Sequence, residues 1–335
     1  MRVYWLVIPV LVVAALGAWQ VLPDSQEDVP APVVMSVPAT DQAITPIPTE
    51  LKRDARMVAL GRRLFHDKRL SKDDTVACAT CHGLDKAGID GLPVSVGIKG
   101  QRGQVNTPTV FNSGFNFSQF WDGRAATLEE QVPGPVHNPI EMGTDWKAVI
   151  AKLKRDPDYP AAFRRIWPDG ITAEHIQIAI AEFERTLITP HSPFDRYLRG
   201  ETNALSEEAR RGWDLFRNLG CIACHQGVNM GGNMYSNLGV MGDFFMDRGG
   251  PEKPVDLGRF NVTGREEDRH VFKVPSLRNV ERTAPYFHDG SIATLDKVVE
   301  TMARYQLGIE LSDAERRDLV AFLGSLNGRH PELKP

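Results

Sequence analysis

Cysteine is scarce in this chain. There are four in 335 residues, all in two strings, Cys78-Ala79-Thr80-Cys81-His82 and Cys221-Ile222-Ala223-Cys224-His225. A zinc ribbon repeats its C-x-x-C after roughly 15–20 residues; here the two histidines lie 143 residues apart. The βαβ pattern of a thioredoxin-like redox domain is missing too, and that motif needs no histidine after its second cysteine. A charge excess is equally absent. The net charge of −4 is too small to point to nucleic acid or a strongly charged partner.

What is present is C-x-x-C-H, twice. This is the attachment signature of c-type haem. The two thiols add across the porphyrin vinyl groups, and the adjacent histidine reaches the iron. The expectation is two covalently attached c-type haems, held by Cys78, Cys81 and His82 and by Cys221, Cys224 and His225. The chemistry is then redox chemistry at iron.

The N-terminus carries an apolar run, Val3 to Val21, broken only by Pro9, small residues and Gln20. It reads as a signal peptide or N-terminal membrane anchor over residues 1–21, with the anchor slightly favoured because the run is long and no A-x-A site follows. Residues 22–48, rich in Pro, Val, Ala and Asp without periodicity, read as a flexible linker. Covalent haem is attached outside the cytoplasm, so the expected location is the periplasm, with tethering to the inner membrane through residues 3–21 as the anchored alternative.

Past the linker the chain is duplicated. Pro108/Pro275, Asn112/Asn279, Asp122/Asp289, Gly123/Gly290 and Leu128/Leu295 all stand 167 positions apart. Each unit runs helix, haem motif, long loop, P-x-x-x-N turn, aromatic-Asp-Gly turn, helix. The predicted fold is mainly α: two tandem cytochrome c-like domains, residues 49–200 and 201–335, each with one covalently bound haem and long loops between helices. Ile176, Ile180, Phe183 and Leu187 share one face of a predicted helix over 172–187. Ser206 is a predicted N-cap, and Ser312 with Glu315 a capping box.

The repeat also sets the two distal sides apart. Met302 lies on the helix after the second Asp-Gly turn and is a candidate thioether ligand; the alternative is a core methionine. Its counterpart in the first unit is Pro135, which cannot ligate iron. The second haem is then expected to be six-coordinate, His225/Met302, with a raised potential suited to electron relay. The first is expected to keep an open position suited to substrate.

In these features the chain resembles the bacterial dihaem cytochrome c peroxidases. The motifs are Leu92-Pro93-Val94-Ser95-Val96-Gly97, Asn106-Thr107-Pro108-Thr109-Val110-Phe111-Asn112, Gln119-Phe120-Trp121-Asp122-Gly123-Arg124-Ala125, Asn138-Pro139-Ile140-Glu141-Met142, Thr283-Ala284-Pro285-Tyr286-Phe287-His288-Asp289-Gly290 and Met302-Ala303-Arg304-Tyr305-Gln306-Leu307-Gly308. The resemblance covers roughly residues 50–328. It implies an enzyme that reduces hydrogen peroxide to water with electrons from a small donor protein, a cytochrome c or a cupredoxin. It carries a distal trio onto Gln131, Pro135 and Glu141, and an inter-haem electron path onto Trp121. It also carries one calcium ion onto the side chain of Asn106 and the main-chain oxygens of Thr283 and Pro285. The chemistry is sensible: a carboxyl held near working pH by a poorly hydrated pocket takes a proton from bound peroxide and returns it to the leaving oxygen. His137 competes with Glu141 for that role.

Two other functions stay in view. One is a dihaem oxidase acting on residues of a partner protein; that group resembles this family but has tyrosine where Met302 stands. The other is a non-enzymatic dihaem carrier, against which Pro135 and the Gln131/Glu141 pair argue. A homodimer is compatible with the sequence. The chain departs from the family at Ile98. Many members have histidine directly after Ser-Val-Gly, where it blocks the oxidised first haem. Isoleucine cannot ligate, and Lys99 would first have to lose its proton. The first haem is therefore expected to be open without prior reduction.

Overall fold

The structure, a computed structural model, describes residues 43–334. The segment expected as signal or anchor, and most of the expected linker, lie outside the described residues. Residues 43–48, expected to close a flexible linker, are packed instead. Ile44 and Ile47 are buried. The Asp195 carboxylate accepts the Ile47 N–H at 3.0 Å, and Arg278 donates to the Thr45 carbonyl at 3.1 Å. Asp195 and Arg278 are themselves a fully buried ion pair at 2.9 Å. An extended segment held by main-chain contacts has no periodicity to show in its sequence.

The fold is mainly helical. Its one sheet among the described residues is a two-stranded antiparallel ribbon, Tyr235–Asn237 with Val271–Lys273. Among the described residues no helix is long and apolar enough to cross a membrane. Two helix pairs form the frame. Ala55–Phe65 packs on Ala173–Glu184, and Glu207–Asn218 packs on Asp313–Gly324. Each begins at a side-chain cap: Asp54, Thr172, Ser206 and Ser312 each accept a main-chain N–H from the first turn. Ser312 and Glu315 close a reciprocal capping box.

Both crossings are made possible by glycine. A methyl at Gly61 would overlap the Ala179 carbonyl, and one at Gly212 the Asp318 carbonyl. The helices can therefore approach to backbone contact, and the apolar faces close behind them. Leu64, Phe65, Ile176, Ile180 and Leu187 fill the first core; Trp213, Phe216, Phe322 and Leu326 fill the second. Each large side chain so buried contributes about 1.5–3 kcal/mol. Phe194, on the short helix Pro193–Leu198, already belongs to the second core.

The repeat extends to backbone detail. Asn112 and Asn279 both take φ near +60°, and Phe120 and Phe287 both take φ +68°. Such a conformation is unusual for an aromatic residue, so its recurrence marks one turn used twice. The two halves are also tied by reciprocal bonds. The Asn106 N–H donates to the His288 carbonyl at 2.8 Å, and the Lys273 N–H donates to the Trp121 carbonyl at 2.9 Å. Lys273 is the repeat counterpart of Asn106, and His288 of Trp121, so this is one bond made in both directions about a pseudo-two-fold axis.

Candidate functional site

Each C-x-x-C-H string is a single tight turn following the first helix of its half: Cys78–Cys81 in one, Cys221–Ala223 in the other. The turn sets the histidine beside a run of main-chain carbonyls. His82 Nδ1 lies 3.2 Å from the Gly88 carbonyl, and His225 Nδ1 lies 3.2 Å from the Met230 carbonyl. A carbonyl only accepts, so Nδ1 carries the proton and the Nε2 lone pair is left for a metal. Burial pushes the His82 pKa down, and that of His225 to about 4, which favours the neutral ring in both. The four cysteines form no disulfide. Burial raises the pKa of Cys78 to about 12 and of Cys81 and Cys221 to about 11. A neutral imidazole with Nε2 free beside paired thiols fits a covalently attached haem in both halves.

The residues expected on the distal side of the first half lie on two short helices, Leu128–Gln131 and Pro133–His137, and the turn that follows. Asn138 to Glu141 is laced back onto them. Met142 N–H donates to the Pro135 carbonyl at 3.1 Å, and Glu141 N–H to the Asn138 carbonyl at 3.0 Å. Gln131, one turn before Pro135, makes no side-chain hydrogen bond among the described residues. Glu141 is half-buried, and its Oε1 accepts from the Asn138 side chain at 2.6 Å. Burial raises its pKa above the ordinary carboxyl value; the Asn138 bond and the Arg124 charge oppose this. His137 points elsewhere: it is exposed and packs edge-on against Trp146, with ring centroids 5.6 Å apart.

The Ser95–Ile98 loop lies directly on this acid. Ile98 N–H donates to the Glu141 carbonyl at 2.8 Å, and Gly97 is so close that a methyl there would overlap the Ile140 carbonyl and Glu141 main chain. Ile98 itself is 3 % exposed and belongs to the first core. Lys99 is exposed.

In the second half, Met302 ends the helix Leu295–Met302 and packs, half-buried, on the second core. The helix then widens into a π-turn, Ala303–Leu307, a feature frequent at functional sites. Between the halves, the Trp121 indole N–H donates to the Asn106 carbonyl at 2.9 Å while its ring packs on the second core. Asn106 donates its amide to the Leu92 and Pro93 carbonyls at 3.0 and 3.4 Å, which leaves Oδ1 turned away from them.

Sequence reasoning missed three groups here. Asn138 holds the Glu141 carboxyl. Glu184 is a buried carboxyl whose pKa desolvation raises to about 8; its place on the inward face of the helix Ala173–Glu184 was a usable signal. Lys273 is buried between the halves, and the 167-residue offset from Asn106 was its signal.

Comparison with known proteins bears on all of this. Residues 55–203 match the family model described as di-haem cytochrome c peroxidase. The cytochrome c peroxidase of Escherichia coli is 50 % identical over 289 residues, 86 % of this chain and 62 % of that protein. The chain thus spans under two-thirds of that relative's length. The cytochrome c551 peroxidase of Nitrosomonas europaea is 44 % identical over 299 residues, 89 % of this chain and 88 % of that protein. A solved MauG-like protein associated with microbial copper homeostasis superposes with a TM-score of 0.76 at 30 % identity, covering 95 % of this chain and 99 % of that one.

Proposed function

The chain belongs to the di-haem cytochrome c peroxidase family, and from that premise we propose that it reduces hydrogen peroxide to water with electrons from a small redox protein, a cytochrome c or a cupredoxin. One observation carries this reading: the repeat puts an acid beside Pro135 in the first half and a thioether, Met302, at the matching place in the second. A haem held by Cys78, Cys81 and His82 would supply the iron for peroxide reduction, and one held by Cys221, Cys224, His225 and Met302 would supply the electron relay.

The chain's own groups then do the following. The Glu141 carboxylate takes a proton from the bound peroxide and returns it to the departing oxygen as the O–O bond breaks. Two electrons and two protons are consumed and two waters leave. Asn138 holds the carboxylate in place, and the free amide of Gln131 orients the peroxide. Pro135 keeps the distal side clear of any ligand. Trp121 links the halves and lies on the electron path.

Ile98 supports activity without prior reduction. Its side chain is locked in the first core and its N–H is held by Glu141, so the loop offers no iron ligand. A calcium ion is proposed at Asn106 Oδ1 and the carbonyls of Thr283 and Pro285. Neutral oxygens suit a hard cation, and none of the three oxygens accepts a hydrogen bond among the described residues. Export to the periplasm follows from covalent haem attachment, with residues 3–21 as signal or tether.

Two measurements test the proposal. Steady-state peroxide turnover with reduced cytochrome c or a cupredoxin should be robust; no turnover with either would overturn the peroxidase reading and favour oxidation of a partner protein. Fully oxidised protein mixed with one equivalent of peroxide, without reductant, should lose its high-spin first-haem spectrum rapidly. A low-spin first haem inert until the second is reduced would sink the role given to Ile98.

A further inference from the structure

Lys273 lies at the inter-half contact, and its charge is left without a partner among the described residues. It is 7 % exposed, on the strand Val271–Lys273. Its main-chain N–H is used on the Trp121 carbonyl. Its ammonium has no hydrogen bond or ion pair among the described residues. Asp122 is the acid whose charge acts on it, yet both Asp122 oxygens are held by Arg124 at 3.0 and 2.9 Å. Desolvation accordingly lowers the lysine's pKa to about 8. A desolvated ammonium either gives up its proton or is met by an anion.

The backbone says where that anion comes from. Lys273 stands two residues before Pro275, whose carbonyl faces the His225 ring, just as Asn106 stands two before Pro108, whose carbonyl faces His82. Both residues therefore stand, at the contact between the halves, two positions along the chain from a carbonyl that faces the histidine of a C-x-x-C-H string. Each haem brings a pair of propionate carboxylates, anions that need a partner when buried. We propose that the Lys273 ammonium is the counter-ion of a haem propionate at the inter-half contact, the pseudo-symmetric counterpart of the Asn106 position. The inference rests on the two haems and not on peroxide chemistry, so it is tested without peroxide.

The experiment uses the holoprotein carrying Lys273→Met or Lys273→Arg. Midpoint potentials of both haems are read by spectroelectrochemistry, and the propionate bending bands by resonance Raman. A cation beside a haem favours the reduced form. Lys273→Met should therefore shift the ferrous-to-ferric equilibrium of one haem about tenfold toward ferric, which is about 59 mV for one electron. The haem that moves identifies whose propionate is held. Lys273→Arg should keep the potential and shift the bending band, because a planar fork replaces a point donor. Unchanged potentials of both haems in Lys273→Met overturn the proposal. Should that variant fail to assemble, Lys273→Arg decides alone, and bending bands identical to the unsubstituted protein overturn it.

Discussion

The two halves of this molecule share a skeleton and differ at a few side chains. Gly61 and Gly212 admit the same helix crossing. His82 and His225 each lie 3.2 Å through Nδ1 from a main-chain carbonyl. Phe120 and Phe287 turn the chain with the same φ. Against this sameness stand three repeat-related pairs: Pro135 and Met302, Asn106 and Lys273, Trp121 and His288. Trp121 bonds a main-chain carbonyl, whereas His288 is buried against Asp256 at 2.7 Å, which Arg248 grips with two bonds. The lesson is a division of labour. Main-chain contacts that tolerate no side chain fix the cage, and single side chains at matched places decide what each cage does.

The comparison breaks most severely where the skeleton is touched. Gly61→Val or Gly212→Val forces a side chain into a carbonyl and is expected to cost about 3 kcal/mol or more, the upper range for overpacking. Denaturant titration of the holoproteins reads this; midpoints near that of the unsubstituted protein would mean the crossings relax without cost.

Glu141 has no counterpart role in the second half. Glu141→Gln is expected to retain both haems and lower peroxide turnover by about 10²-fold. Turnover near the starting level would remove Glu141 from the mechanism and promote His137. The proton-accepting form is the carboxylate, and burial raises its pKa. Turnover should therefore fall as pH drops through a value above the ordinary carboxyl range, and that acid limb should vanish in the variant.

Met302→Ala makes the distal sides alike. The second haem should become high-spin or acquire a replacement ligand, and its potential should fall with loss of the thioether. An unchanged low-spin spectrum would show that another residue is the ligand. The smallest effect is expected from Trp121→Phe, which removes the bond to the Asn106 carbonyl at a cost of about 1 kcal/mol. Electron transfer between the haems after rapid reduction should slow. An unchanged rate would take Trp121 off the path.

Much of this arrangement was legible in the chain. The C-x-x-C-H strings, the 167-residue offset and the caps at Ser206 and Ser312 are local signals, and local signals survive in a sequence. Ile44 and Ile47 were not legible as core, because what buries them is a contact with Asp195 and Arg278 far along the chain. The exposure of His137 and the burial of Ile98 were equally hidden, since neighbours alone do not say which face of a turn meets the core.

The sequence by itself determined that there are two C-x-x-C-H haem motifs, that the units carrying them are copies, and that Pro135 and Met302 stand at matched places; covalent attachment depends on residue type and spacing. Only the tertiary structure decided that Asn138 holds Glu141, that the Ser95–Ile98 loop lies on that acid, and that Lys273 is buried without a charge partner among the described residues. Those facts arise from packing between segments distant in the chain, where burial and the desolvation of charge set the chemistry of a group.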